Sequence, residues 1–265
     1  LADDPFYKAH WQDIEPERMS AYKGGFAWDE AASALYAGAD IHAGQAIADF
    51  GCGPGKVAAA LAGLVGETGY VYAIDIKEAF LKIARENAVA AGVADWVTTH
   101  QSDGATLPFD DGTLDRVTAR NTIMYVDDPV ETLGEFRRVL RPGGLAHAID
   151  GDWYMMVAEP VAHDLWRDFV RAASHACRNA DMGRQLYGAF REAGFEDIQV
   201  KIFANPDVTG RLLGMVRNMA RYALESGTLD AAAIDRVIAQ VEQGLADGRY
   251  FLVSPQFVVT GRAPD

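Results

Sequence analysis

The sequence predicts an α/β fold: a doubly wound, mostly parallel, seven-stranded sheet with helices on both faces, extended by helical lid insertions. Three observations predict it. From Gln45 to Asp150, short apolar runs of strand length alternate with stretches of helical periodicity. One of those runs, Ala46 to Phe50, enters a glycine-rich turn that opens a helix. The chain has 265 residues, 49% of them hydrophobic, which is enough to bury one large core and too apolar for disorder.

Taken in order, residues 1–45 read as an N-terminal helical cap segment, aromatic and mixed in charge, with an amphipathic helix from Asp29 to Gly38. Residues 46–265 form the main domain. Its core, 46–150, holds five strand runs: Ala46–Phe50, Tyr70–Ile74, Trp96–His100, Leu114–Ala119 and Leu145–Ile149. Helices fall between them, through Leu61–Val65 and over Glu78–Ala91. The helix before the fifth strand has a clear start. Asp128 can cap it, Pro129 suits its first position, and Glu131 closes a capping box. Pro142-Gly143-Gly144 is its expected stop. Further on, Leu186–Ala193 reads as a helix ended by Gly194, and Ile198–Phe203 and Gln256–Thr260 as two more strands. Two insertions, 153–181 and 205–249, are expected to be helical lids. The second carries Ile234, Val237, Ile238, Val241 and Leu245 on one helical face.

Charge and cysteine usage narrow the partners. With 24 basic and 38 acidic side chains the net charge is -14, and no basic strip is present to hold a phosphate backbone, so no nucleic-acid partner is expected. Two cysteines, Cys52 and Cys177, make no disulfide framework and suit a reducing cytoplasm. The six histidines show no ligand spacing, so no metal is expected. No apolar run reaches the roughly 18 to 20 residues of a membrane span. The chain opens on Leu1 without the basic and apolar regions of a signal peptide, as expected of a record that starts inside a longer chain.

The sharpest feature is Asp49-Phe50-Gly51-Cys52-Gly53-Pro54-Gly55-Lys56. Glycines at alternate positions let a ligand approach the backbone, and the next helix offers free N–H groups. The spacing is wrong for a nicotinamide fingerprint and for a P-loop, because Lys56 stands where the former needs its third glycine. Asp75, at the end of the second strand, can accept two ribose hydroxyls, or can cap the following helix. Asp103, one strand on, can accept from an exocyclic amine, or can be an ordinary loop aspartate. Ligands of open α/β sheets lie at such strand ends.

With Leu107-Pro108-Phe109, Asp115 and Val139-Leu140-Arg141-Pro142-Gly143-Gly144, these residues resemble the class I S-adenosylmethionine-dependent methyltransferases over Ala46–Asp150, of the type that methylates small molecules such as quinones and natural products. The resemblance implies S-adenosyl-L-methionine as cofactor and S-adenosyl-L-homocysteine as product. It implies that Gly51, Gly53 and Gly55 line the methionine and ribose portion and that Asp49 holds the amino group. Asp75 would bind the ribose hydroxyls, Ile76 would pack on the adenine, and Asp103 would meet the adenine amine with Gly104 beside it. Asn121 would sit near the methionine end. The chain departs from the family in lacking a histidine pair around Met124 and Tyr125. It also lacks the Asp/Asn-Pro-Pro-Tyr motif of many enzymes that methylate amino groups of nucleic acids and glutamine.

The activity this implies is in-line methyl transfer to an oxygen, nitrogen or carbon of a partly apolar or aromatic metabolite. Tyr22, Trp28, Trp153 and Tyr154 are candidates for the acceptor pocket, since aromatic faces hold aromatic or cationic groups. Tyr22, Asp152 and His147 are the candidate catalytic groups; the place of His147 inside a strand equally fits a satisfied core histidine. A homo-oligomer is compatible with the insertions. The competing readings are a nicotinamide-dependent oxidoreductase and a cofactor-binding regulatory subunit without activity.

Overall fold

A computed structural model of the chain describes residues 28–265, together with Ile14 and Met19. Tyr22 and most of the 1–45 segment lie outside the described residues. The first helix, α1 (Glu30–Tyr36), starts where Asp29 accepts from the Ala32 N–H at 2.7 Å. A single 3-10 turn, Ala37–Ala39, then replaces the expected last turn of α-helix.

The core strands are β1 (Ala46–Phe50), β2 (Tyr70–Asp75), β3 (Val97–Gln101), β4 (Leu114–Arg120) and β5 (Leu140–Gly151). They are joined by α2 (Lys56–Val65), α3 (Glu78–Ala90) and α4 (Pro129–Val139). After β5 come β6 (Val157–Glu159), α5 (His163–Ala173), α6 (Met182–Glu192) and β7 (Glu196–Phe203). The chain ends with α7 (Leu213–Ser226), α8 (Ala231–Ala246), β8 (Phe251–Val253) and β9 (Gln256–Arg262).

Seven strands form one sheet in the order β3-β2-β1-β4-β5-β9-β7. The pairs from β3 to β5 are parallel; β9 runs antiparallel to both β5 and β7. Alternating side chains feed two layers. On one face Ile47 and Val71 pack with Val57 and Leu61 of α2 and Leu81 of α3. On the other, Phe50 and Val117 pack with Leu133 and Phe136 of α4 and Leu186 and Phe190 of α6. The order reverses between β1 and β4, and the register sets Phe50 level with both Ile74 and Ala119. The loops leaving β1, β2 and β4 therefore emerge side by side, which is where a ligand crevice forms in such sheets.

A third cluster is built from the two insertions. Trp166, Phe169 and Val170 of α5 meet Val216 and Met219 of α7 and Val237 and Val241 of α8. The short antiparallel pair β6–β8 ties its base. Among the described residues, no helix is long and apolar enough to cross a membrane.

Two local expectations change. Pro142-Gly143-Gly144 does not stop α4 as a loop: Leu140 is already extended and pairs with Leu114, and the register then jumps to Arg116↔Leu145, so the Pro-Gly-Gly stretch is an irregularity inside β5. The short strands β6 and β8 are absent from the sequence reading, because three-residue strands carry too little alternation and exist only through each other.

Candidate active site

The loop after β1 hangs from β2. The N–H groups of Gly51 and Cys52 both donate to the Ile74 carbonyl, at 2.8 and 2.9 Å, and the Gly53 N–H donates to Asp75 Oδ2 at 2.8 Å. Gly51, Gly53 and Gly55 all have positive φ, a region that favours glycine. Their surroundings differ. A Cβ on Gly51 would overlap the Thr122 side chain, and one on Gly55 would overlap Ala84 of α3. One on Gly53 would meet nothing within 4 Å. Two of the three glycines thus serve close packing of the protein on itself, and only Gly53 leaves open space.

Asp75 is buried and accepts at both oxygens, from Gly53 N–H and from Lys77 N–H at 2.9 Å. Burial raises its pKa, against those backbone hydrogen bonds. Each carboxylate oxygen retains a second acceptor site, so ribose hydroxyls can still donate. Lys77, not Asp75, occupies the cap position of α3. Ile76 is 43% exposed beside Gly104, whose Cβ would come within 3.2 Å of it. That leaves a flat apolar shelf. Asp103 is exposed, and its Oδ1 accepts from Ala105 and Thr106 N–H at 2.9 and 3.0 Å, which lowers its pKa.

Asp49, at the end of β1, is the most perturbed of these acids. Its Oδ1 accepts from the Thr118 hydroxyl at 3.1 Å, while its Oδ2 is buried without a hydrogen-bond partner. Burial pushes its pKa up to about 7 against the Thr118 bond; the charge of Asp75 adds to the rise and Arg120 opposes it. Asn121 sits in the left-handed region, its N–H donating to the Ile149 carbonyl at 2.7 Å. Asp150, fully buried, accepts from the Ile123 N–H at 3.1 Å and so holds the turn that follows Asn121.

All nine expected cofactor residues except Gly55 line one cavity of about 1790 Å³. Single-ligand pockets commonly measure roughly 300–1,000 Å³, so it has room for two molecules. It runs from the glycine loop past Tyr36, Arg120 and Trp153 to α7. The features fit a sulfonium nucleoside. A buried carboxylate oxygen at Asp49 lacks a donor, Gly53 opens the backbone, and no side chain caps α2. Among the described residues no acid, histidine and cysteine group is arranged to hold a metal ion.

The expected acceptor and catalytic residues fare differently. Trp153 lines the cavity. Tyr154 does not; it is 48% exposed and its hydroxyl meets Ser174 Oγ at 3.1 Å. Trp28 does not line the cavity; its ring packs tilted against Tyr36, which does, with ring centres 5.2 Å apart. His147 is fully buried away from the cavity. Its Nε2 lies 3.0 Å from the Leu35 carbonyl, which can only accept, so Nδ1 accepts from the Thr260 hydroxyl at 2.7 Å. Burial lowers its pKa to about 4, and it is a satisfied core histidine. Asp152 is also buried outside the cavity: it pairs with the Arg184 guanidinium and accepts from the Tyr154 N–H. Neither side chain lines the cavity.

The sequence reading missed Tyr36, which is buried, lines the cavity and has a hydroxyl without a hydrogen-bond partner. It missed Arg120 and the α7 face as well. On α7 the polar residues Arg217, Asn218 and Arg221 recur at helical spacing opposite Val216, Met219 and Ala223, a legible stripe whose target the sequence alone does not name.

Residues 48–148 match the family model of the methyltransferase domain. The chain is 32% identical over 175 residues to the ubiquinone/menaquinone biosynthesis C-methyltransferase UbiE of Escherichia coli, an alignment covering 60% of this chain and 69% of that protein. It is also 32% identical over 232 residues to an uncharacterized 37.1 kDa protein of a Streptomyces fradiae transposon, covering 84% of this chain and spanning 64% of that relative's length. In fold it is similar to phosphoethanolamine N-methyltransferase 2 of Haemonchus contortus in complex with S-adenosyl-L-methionine. That TM-score is 0.64 at 18% identity, covering 100% of this chain and 60% of that one. With a glycine loop of the wrong spacing for nicotinamide and relatives of this kind, the chain belongs to the class I S-adenosylmethionine-dependent methyltransferases.

Proposed function

We propose that the protein transfers a methyl group from S-adenosyl-L-methionine to a small, partly apolar or aromatic acceptor held in the same cavity. The observation that carries this is the one continuous cavity of about 1790 Å³ that joins the glycine loop to the helical insertions.

When bound, the cofactor supplies an electrophilic methyl on a sulfonium with a good leaving group. The residues of the chain do the rest. Asp49 receives the cofactor's ammonium at its unpartnered oxygen, with Asn121 beside it. Asp75 accepts the ribose hydroxyls while holding the Gly53 backbone in place. Ile76 and Gly104 bracket the adenine, and Asp103 accepts from its amine. Gly51 and Gly55 shape the loop by packing on Thr122 and Ala84. Trp153 and Tyr36 present aromatic surface to the acceptor. The insertions line one side of the cavity, where positioning of the two reactants supplies much of the acceleration. Among the cavity-lining residues, Tyr36 is a candidate in place of His147 and Asp152, which do not line the cavity.

Calorimetric titration with S-adenosyl-L-homocysteine, followed by transfer of labelled methyl to small molecules of a cell extract, tests this. The expected result is one binding site per chain and label in a low-molecular-weight product. Binding without any transfer would leave a regulatory subunit as the better reading, and absence of binding would remove both.

A further inference from the structure

The walls of the cavity differ in charge. Outside the 205–256 segment the lining is acidic on balance: Asp29, Asp49, Asp75, Asp103, Asp127, Asp128 and Glu131 outnumber Lys56, Lys77 and Arg120. The lining drawn from 205–256 contributes Arg211, Arg217 and Arg221 and no carboxylate at all. In a chain of net charge -14, that is a local reversal of the overall field.

The basic wall is built, not incidental. Arg221 Nη2 donates to Asn218 Oδ1 at 2.7 Å, and Asn218 Nδ2 donates to the Tyr222 hydroxyl at 2.8 Å. These contacts orient the guanidinium along α7. Arg217 is braced from α8, with Nη2 and Nε 2.7 and 3.2 Å from Glu242 Oε1. A guanidinium carries five donors, so that brace leaves some of them for a ligand. Arg211 projects from a turn fixed by buried Asp207, whose Oδ2 accepts from the Leu212 N–H at 2.7 Å and from the Tyr250 hydroxyl at 2.9 Å.

We propose that the methyl acceptor is an amphiphilic acid, and that Arg211, Arg217 and Arg221 bind its carboxylate or phosphoryl group while its apolar body lies against Met215 and Trp153. This rests on the methyltransferase reading above and adds the substrate class. The physical reason is the charge of the reaction itself. A sulfonium held on the acidic side would face guanidinium groups across the cavity, and like charges repel. An anionic acceptor between them is attracted from both sides. Guanidinium forks also match the geometry of carboxylate and phosphoryl oxygens.

The test uses the full chain loaded with S-adenosyl-L-homocysteine and two matched fluorescent probes, anilinonaphthalene sulfonate and its uncharged counterpart phenylnaphthylamine. The sulfonate is expected to bind at least about ten-fold tighter than the neutral probe, as charge-assisted hydrogen bonds give. The advantage should shrink as salt is raised. Exchanging both Arg211→Gln and Arg221→Gln should abolish the advantage and leave neutral-probe and homocysteine-nucleoside affinities unchanged. The exposed Arg217→Gln, tested alone, gives a reading that does not depend on how the double variant folds. Stronger displacement of the sulfonate by phenyl phosphate assigns a phosphoryl acceptor, and stronger displacement by benzoate a carboxylate. Equal affinity for the two probes, no effect of the substitutions, or displacement by neither anion overturns the proposal. If the homocysteine nucleoside itself does not bind, it is the underlying methyltransferase reading that fails.

Discussion

Asp75 Oδ2 accepts the Gly53 N–H at 2.8 Å, so the acid at the end of β2 is bonded to the loop that leaves β1. One side chain thereby sets the shape of the glycine turn and offers its remaining acceptor sites to the ribose. Asp75→Ala removes both contributions. Cofactor affinity is expected to fall about 30- to 100-fold, the scale of charge-assisted hydrogen bonds of roughly 2–3 kcal/mol. Calorimetry with S-adenosyl-L-homocysteine checks this, and wild-type affinity would place the ribose elsewhere.

The three loop glycines should separate by phenotype. Gly51→Ala and Gly55→Ala drive a Cβ into Thr122 and Ala84, so thermal unfolding should move down in both. Gly53→Ala meets no neighbour within 4 Å and bears only the left-handed penalty of about 1–2 kcal/mol. Gly53→Val should unfold at a lower temperature than the alanine variant, because a β-branched residue tolerates the left-handed region less, and cofactor affinity should collapse as its side chain enters the open space. Equal unfolding temperatures across the set would contradict this division.

Asp49 predicts the pH dependence of cofactor binding. Its pKa stands at about 7 in the ligand-free fold against 3.8 for the ordinary carboxyl, so the folded state holds the extra proton between those values. Its contribution to stability is therefore fully present below pH 4 and declines as pH rises to 7. A cationic ligand prefers the ionised form. Affinity should climb about ten-fold per unit below pH 7 and level off above it. Asp49→Asn should flatten that climb, and a flat profile in the wild type would separate Asp49 from the ammonium.

Substitutions at His147 and Asp152 should act on stability rather than on transfer. His147→Phe loses the bonds to Leu35 and Thr260, and Asp152→Asn loses the charge opposite Arg184. Each is expected to cost on the order of 1–3 kcal/mol, with kcat for the identified acceptor and nucleoside affinity kept. A selective loss of kcat in either variant would restore it as a catalytic group.

Tyr36→Phe removes a buried hydroxyl that has no hydrogen-bond partner. Unfolding temperature should hold or rise, since no intramolecular bond is lost. A role at the acceptor predicts a lower kcat/KM together with unchanged nucleoside affinity. Unchanged kcat/KM would reduce Tyr36 to packing.

Much of this was legible before any coordinates. Asp49, Gly53, Asp75 and Asp103 stand at or beyond the ends of consecutive strand runs, and a parallel sheet must bring such ends together. The caps at Asp128 and Pro129 are local chemistry, decided within one turn. Tyr154 and Trp153 could not be separated in the same way. They are adjacent in the chain and differ only in which side of a single 3-10 turn faces the cavity.

The sequence alone determined the strand and helix succession, the glycine loop and its acids, because period, turn chemistry and strand-end position depend on near neighbours. Tertiary packing decided the rest. It buried His147 under α1, tied Asp152 to Arg184 and placed Tyr36 at the chamber. It also set the arginines of α7 along the cavity. Those outcomes depend on which distant surface covers a side chain, and contacts between residues 32 or 112 positions apart leave no mark in local periodicity.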